Sequence, residues 1–211
     1  RAHGWTSGDQ GRTWQPQPGV VHLPAPPKAR AAGWGGLLFH RRLHVLGGSL
    51  VGTLYGNYES DGDWYRTVWA ISADLGKNWN VVSTIAAGAA GTEGYGEPVS
   101  AFCADGRILV VMRTGPTSPM RMTRSSDQGH SWEPPTELAG KVGWDPDLLA
   151  AAGAILLSYG LPGQIWVDRS PDCGSSWREA AHLDVPTSSG YTGLAHVDGA
   201  IVVFTDSAGE S

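Results

Sequence analysis

Apolar residues along this chain come in short runs that Gly, Pro, Asp or Asn interrupt every few residues. The clearest runs lie at 40–56, 65–72, 106–114, 154–160 and 199–207. They are rich in Val, Ile, Leu, Tyr and Trp, a composition typical of strands. No segment shows a helical period with caps at both ends. The pattern therefore predicts an all-β fold.

Two segments need separate interpretation. The segment 137–158 has many Leu and Ala residues, but Pro146 and Gly153 interrupt it. We predict a loop, a strand, a turn and a second strand there rather than a helix. The segment 16–36 is rich in Pro, Gly and Ala, and we predict an irregular connection.

An eight-residue motif, Ser-x-Asp-x-Gly-x-x-Trp, occurs four times. It begins at residues 7, 72, 125 and 170, so the intervals are 65, 53 and 45 residues. These intervals are close to the roughly 40–50 residues of a four-stranded propeller blade. The copies read SGDQGRTW, SADLGKNW, SSDQGHSW and SPDCGSSW.

Each residue of the motif has a structural use in a tight turn. The Asp accepts hydrogen bonds from turn amides, the Gly adopts positive φ at low cost, and the Trp packs over the turn. A calcium loop is excluded because the later ligand positions and the closing Glu are missing. We therefore predict structural roles for Asp9, Asp74, Asp127 and Asp172.

Composition narrows the class further. The 211 residues contain 30 Gly and 10 Trp, and 41% of the chain is hydrophobic. This combination suits a turn-rich globular β protein. The net charge is −5 and no long Lys/Arg cluster occurs, so nothing supports nucleic-acid or membrane-surface binding. No run of 18 apolar residues predicts a transmembrane segment.

The cysteines and histidines predict no metal site and no cofactor. Cys103 and Cys173 show neither metal-ligand spacing nor a disulfide framework, so we predict small buried or turn residues. The seven His form no HxH or HExxH pattern. The chain starts at Arg1 and shows no signal peptide. Localisation therefore stays open between secreted and cytoplasmic, as does the oligomeric state.

Candidate chemistry begins with Glu97 and Arg113, which flank a predicted hairpin 16 residues apart. The start of one strand and the end of the next lie at the same edge of an antiparallel pair, so these side chains can meet. They would form either a surface ion pair or part of a binding site. Tyr191 precedes a similar strand, turn and strand, and is either a packed aromatic residue or a reactive one.

Two more loops offer binding groups at strand ends. Asp61 and Arg66 lie in the segment 55–66, and Trp144 and Asp145 lie in 143–149. Such loops either bind ligands or form solvated turns. Trp144 is suited to stack on a sugar face.

The repeated motif resembles the Asp-box, or BNR repeat, of the sialidase superfamily. The resemblance implies an Asp-box β-propeller, with six blades in the family. At about 50 residues per blade this chain would cover about four to five of them. Residues 1–211 would then be a single, incomplete propeller domain.

The order of the candidate residues also resembles sialidase active-site motifs. Glu97 and Arg113 come first, two boxes follow, and GYTGL (190–194) carries Tyr191. The resemblance implies a retaining glycoside hydrolase that removes terminal sialic acid or a related acidic sugar from a glycan, the expected partner. Tyr191 would be the nucleophile, Glu97 its base and Arg113 a carboxylate ligand. The four loop residues named above would complete the substrate site.

Three family residues are not found. The first family arginine and the acid/base Asp would fall before Arg1 by order. The third arginine is expected near Leu161 and Gln164, where the chain has none, and Arg169 is expected in a strand. A lyase or hydrolase for uronic-acid polysaccharides and a non-catalytic glycan- or protein-binding propeller therefore stay open. Both enzymatic alternatives, the sialidase and the uronic-acid enzyme, need Glu97, Arg113 and Tyr191 on the same face of the propeller. A sialidase also needs another arginine near them.

Overall fold

A computed structural model describes residues 2–28 and 36–207 of the chain. Regular structure in these ranges is almost all strand, with one 3-10 turn at Glu59–Asp61. The all-β prediction is confirmed. The strands are β1 (Ala2–Thr6), β2 (Gln15–His22), β3 (Leu37–Phe39), β4 (His44–Leu46), β5 (Ser49–Gly56), β6 (Arg66–Ser72), β7 (Asn78–Ala86), β8 (Gly96–Phe102), β9 (Ile108–Arg113), β10 (Arg121–Ser125), β11 (Thr136–Glu137), β12 (Trp144–Ala151), β13 (Ala154–Leu161), β14 (Gln164–Ser170), β15 (Arg178–Asp184), β16 (Thr192–Val197) and β17 (Ala200–Thr205).

Consecutive strands pair into antiparallel meanders that have the form of propeller blades. Strands β8–β11 form one four-stranded sheet and β12–β15 another. In a third sheet β7, β6 and β5 follow in order, and β3 and β4 both pair with β5 as one broken first strand. Strands β1 and β2 extend that sheet beyond β7, and β16 pairs with β17. Strand β8 contacts β5 and β12, and β12 contacts β16, so the sheets follow one another in chain order.

Three of the four Asp boxes join the third and fourth strands of a sheet, and the first box joins β1 to β2. In the box at 125–132, Ser125 Oγ accepts the Gly129 N–H at 2.8 Å and donates to Asp127 Oδ1 at 2.8 Å. Asp127 then accepts the N–H of Ser131 at 2.9 Å and its hydroxyl at 2.5 Å. The residue before each box glycine also has positive φ. The same bonds recur in the other three boxes, so these aspartates hold turns, as predicted.

Acid is expected to destabilise the protein through these turns. The pKa of each box aspartate is lowered to about 2. The largest cause is a hydrogen bond from the side chain of the residue four positions later, followed by one from the N–H of that same residue. An unfolded Asp titrates near pH 3.9, so the stabilisation is complete above about pH 5 and is lost as the pH falls toward about 2. Melting temperatures measured by circular dichroism should fall across that window. The decrease should be shallower in Asp127→Asn; equal slopes would contradict the prediction.

The core lies between successive sheets. Val99, Leu109 and Val111 pack against Leu148 and Leu157 between the second and third sheets in chain order. Trp69 packs with Val110 and other residues between the first and second sheets. Each interface leaves the first strands close together at one end, where the candidate residues lie.

Cys103 and Cys173 form a disulfide, with their Cα atoms 5.5 Å apart. The expectation of two unlinked cysteines is wrong. Their 70-residue separation concealed the pairing, because it spans two sheets. Both are buried, and the bond joins the end of β8 to the fourth Asp box. Asp105 lies close to both sulfurs, but bonded sulfurs offer no thiolate ligand to a metal.

The segment 16–36 differs from its predicted form in part. Residues up to His22 belong to β2, because the first Asp box forms a hairpin that needs a second strand. Pro16 and Pro18 lie two residues apart in β2. The residues at the intervening positions keep the N–H groups that bond to the neighbouring strand. Part of the segment, 29–35, lies outside the described residues. The prediction for 137–158 is confirmed by β12, a turn and β13.

Within 2–28 and 36–207 we find no helix long and apolar enough to cross a membrane.

Candidate active site

The first strands of three successive sheets are irregular at the same relative position. Pairing of β8 with β9 shifts around Glu97 and Pro98, and pairing of β12 with β13 shifts around Asp145 and Pro146. Residues 40–43 interrupt the first strand of the preceding sheet, between β3 and β4. Bulges of this kind bend a strand and redirect a side chain.

Backbone strain accompanies these irregularities. Arg41, Glu97 and Asp145 have positive φ values of 61°, 42° and 48°. Such conformations cost non-glycine residues about 1–3 kcal/mol each and cluster at functional sites. The strain places three charged side chains from three sheets at one point.

Glu97 and Arg113 meet as the sequence predicted. Arg113 Nη1 donates to Glu97 Oε1 at 2.6 Å, and Arg113 Nη2 donates to Glu93 Oε1 at 3.1 Å. The guanidinium also lies 5.7 Å from the centre of the Trp144 ring. Arg113 is therefore held by two carboxylates and an aromatic face.

Asp145 joins this pair to a second cationic group. Its N–H donates to Glu97 Oε2 at 2.8 Å, and its Oδ1 lies 3.1 Å from His40 Nε2. Arg41 Nη2 donates to both Oδ2 and the carbonyl of Asp145, and to the Thr192 carbonyl. The Asp145 carboxylate is largely buried, at 8% exposure for the residue.

Tyr191 lies beside the same group. It is 48% exposed and, with Arg41 and Asp145, lines a cavity of about 360 Å³. Its carbonyl accepts the Thr205 hydroxyl at 3.1 Å, which anchors the loop to β17. Residues from four sheets therefore converge at this cavity and the adjoining Glu97–Arg113 pair.

Tyr55 is a second phenol at the site. Burial, followed by the negative charge of Glu97, raises the pKa of Tyr55 to about 12. Its ring contacts His40 and Tyr65 edge to face. Tyr55 is therefore a neutral hydrogen-bonding group at neutral pH.

Unpartnered buried polar atoms concentrate here. Four such side-chain atoms lie here, on Arg41 (Nε), Arg113 (Nε), Trp144 (Nε1) and Thr192 (Oγ1). Native proteins keep few such atoms without a reason, and an unseen ligand or water is a common one.

Asp61 and Arg66 form a separate pair. Asp61 accepts from Arg66 Nε at 2.6 Å and from the Tyr58 N–H at 2.8 Å. Arg66 also donates to Thr84 on β7 at 3.0 Å. These bonds hold the loop between β5 and β6, and substrate binding by this pair stays a prediction.

Sequence reasoning missed His40, Arg41 and Tyr55. All three lie in the run 40–56, which was interpreted only as strand. The sequence signal at this position was HRR (40–42), which places three basic residues between two short apolar runs. Arg41 is a second arginine at the site, beside Arg113.

The two four-stranded sheets, the seven-stranded sheet, the four Asp boxes and the converging first strands define an Asp-box propeller-type protein. The chain belongs to the BNR repeat-like family, whose domain model matches residues 1–203. No curated protein sequence matches it.

Solved structures share the fold at low identity. A protein of unknown function from Dyadobacter fermentans has a TM-score of 0.81 and 17% identity, over 98% of this chain and 60% of that one. The NanB sialidase of Streptococcus pneumoniae (K499G mutant) gives 0.64 and 19%, over 96% and 32%. The Penicillium chrysogenum α-L-arabinanase gives 0.67 and 22%, over 95% and 61%. The chain thus spans between a third and three fifths of these three structures.

Proposed function

We propose that the protein is a glycoside hydrolase that removes a terminal acidic sugar, sialic acid or a relative, from a glycan. The observation that carries the proposal is the convergence of Glu97, Arg113, Arg41, Asp145 and Tyr191 from separate sheets. A merely structural propeller has no need to strain three first strands toward one point. The similar sialidase and arabinanase folds are consistent with this class of activity.

In the proposed reaction Tyr191 attacks the anomeric carbon while Glu97 accepts the phenol proton. The bond from the anomeric carbon to the aglycone oxygen breaks, and that oxygen takes up a proton from solvent water. A second water then attacks the anomeric carbon and releases one proton to solvent as the bond to Tyr191 breaks. The phenolate takes back the proton held by Glu97, and the sugar leaves with retained configuration. A neutral phenol suits a sugar with a carboxylate beside the reacting carbon, because a carboxylate nucleophile would be repelled.

Arg41 and Arg113 would bind the sugar carboxylate. Guanidinium groups bind carboxylates in a bidentate manner. Both arginines keep a buried Nε–H without an acceptor. Asp145 and Trp144 would hold the two arginines in place, since each contacts one of them.

One observation favours a second candidate, hydrolysis of a neutral sugar between two carboxylates. Both arginines are already ion-paired, Arg113 with Glu93 and Glu97, and Arg41 with Asp145. A substrate carboxylate would compete with these pairs. Glu97 and Asp145 would then act as the carboxyl pair that most glycosidases use.

A panel of 4-methylumbelliferyl glycosides tests these alternatives, with α-sialoside, β-glucuronide and α-L-arabinofuranoside substrates. We expect release from the sialoside or glucuronide and a loss of about 1,000-fold or more in kcat for Tyr191→Phe. Tyr58→Phe is the matched control, because the buried Tyr58 hydroxyl has no partner to lose.

Cleavage of the arabinofuranoside alone, with activity retained in Tyr191→Phe, would favour the neutral-sugar candidate. No release by a folded protein would overturn the enzymatic proposal and leave a glycan-binding propeller.

A further inference from the structure

We propose that Asp147 and Arg42 are positioning residues that dock the β16–β17 hairpin beside the site and so place Tyr191. The docking is inferred from contacts alone, whereas its catalytic consequence rests on the role proposed above for Tyr191. Neither residue lines the cavity.

Asp147 is a carboxylate surrounded by donors. The residue is 2% exposed. Its Oδ1 accepts from Arg42 Nε at 3.2 Å and from the Leu148 N–H at 3.0 Å. Its Oδ2 accepts from Arg42 Nη2 at 2.6 Å and from the Leu194 N–H at 2.8 Å. Because all four partners are N–H donors, both carboxylate oxygens of Asp147 must act as acceptors.

Arg42 completes the attachment of β16. Its Nη2 also donates to the Leu194 carbonyl. The Arg42–Asp147 pair therefore binds both backbone polar groups of Leu194, three residues after Tyr191. Among the described residues, no other pair of side chains binds both the N–H and the carbonyl of one residue of β16.

A similar arrangement lies two residues earlier on both β12 and β16. Arg41 binds Asp145 and the Thr192 carbonyl, as Arg42 binds Asp147 and the Leu194 carbonyl. The two arginine–aspartate pairs therefore contact β16 at two positions, Thr192 and Leu194. The two arginines fix both the distance and the register between these strands.

The β16–β17 hairpin contacts the preceding sheet through β16. Among the described residues β16 and β17 pair only with each other, so contacts of β16 with β12 and β13 set where the hairpin lies. Buried ion pairs contribute little net stability compared with apolar packing, and in some proteins they specify one arrangement of the chain. The role we assign to Asp147 is therefore geometric: it keeps Tyr191 next to Arg41 and Asp145.

The test compares Asp147→Asn with Asp168→Asn. Asparagine at 147 is nearly isosteric, but its NH₂ must face two of the four donors. Asp168 is a matched control, since it is 1% exposed and pairs with Lys141 Nζ at 2.7 Å in the same sheet, without contact to β16. Three readouts are used: amide exchange at Leu194, the ¹⁹F signal of 3-fluorotyrosine at Tyr191, and kcat and KM on the best substrate of the panel.

We expect Leu194 exchange to accelerate about 10-fold or more in Asp147→Asn, relative to amides of β9, through loss of a hydrogen bond to a charged group. The Tyr191 signal should shift or broaden. The kcat should fall about 100-fold with little change in KM, as displaced reacting groups require. Asp168→Asn should leave all three readouts near those of the parent protein.

Unchanged Leu194 exchange in folded Asp147→Asn would overturn the docking role. Faster exchange with an unchanged Tyr191 signal, or with unchanged kcat on a substrate that the parent cleaves, would overturn the positioning role. If the parent cleaves no glycoside, the proposed function fails, while the exchange and fluorine readouts still decide whether this pair places Tyr191.

Discussion

The Glu97→Gln variant is expected to lose about 1,000-fold in kcat on any glycoside that the parent protein hydrolyses, the size of a typical general-base contribution. Glutamine cannot accept the Tyr191 proton in the first candidate reaction, and cannot act as a carboxyl catalyst in the second. Both Glu97 oxygens also face donors, Arg113 Nη1 and the Asp145 N–H. An amide NH₂ at this position must meet one of them.

The matched control is Glu93→Gln. Glu93 binds the same guanidinium, at 3.1 Å, but its side chain is about twice as exposed as that of Glu97. We expect less than about a 10-fold change, since Glu97 still holds Arg113 and loss of a partly exposed pair has a small effect. Equal losses in the two variants, measured on protein of confirmed fold, would show that Glu97 acts only through Arg113.

Removal of the disulfide is expected to lower the free energy of unfolding by about 4 kcal/mol. Cross-linking a loop of 70 residues restricts the unfolded chain by an amount of this size. The measurement is urea unfolding of the parent and of the Cys103→Ala/Cys173→Ala variant, each with and without reductant. Reductant should destabilise the parent and leave the variant unchanged.

A parent protein indifferent to reductant, with two titratable thiols, would contradict the bond. Because disulfides persist in oxidising compartments, we expect the chain to fold in one. The bond also joins two neighbouring sheets, so its loss should loosen the interface that contains Leu109 and Leu157.

Local signals were sufficient for the blades. Alternation of short apolar runs with Gly, Pro and Asp predicted the strands, and the four Asp boxes predicted tight turns. These features are decided by neighbours in sequence, because a box closes its hydrogen bonds within eight residues. The same locality explains why Glu97 and Arg113 were paired correctly across one hairpin.

Reasoning from neighbours in sequence could not predict the contacts between sheets. Arg41 and His40 meet Asp145 over sequence separations of 104 and 105 residues, and Cys103 meets Cys173 over 70. No local pattern specifies such partners. The prediction assigned 40–56 to β-rich sequence without marking a break at 40–43, and so overlooked the interruption that directs Arg41 to the site.

The sequence by itself therefore determined an all-β, Asp-box fold and a candidate Glu–Arg pair, since turn chemistry and strand period act over a few residues. Only the tertiary structure decided which charged groups converge, because the first strands of separate sheets meet only when the sheets pack. Strained bulges at Arg41, Glu97 and Asp145, and the bonds that hold β16, then fix where Tyr191 lies.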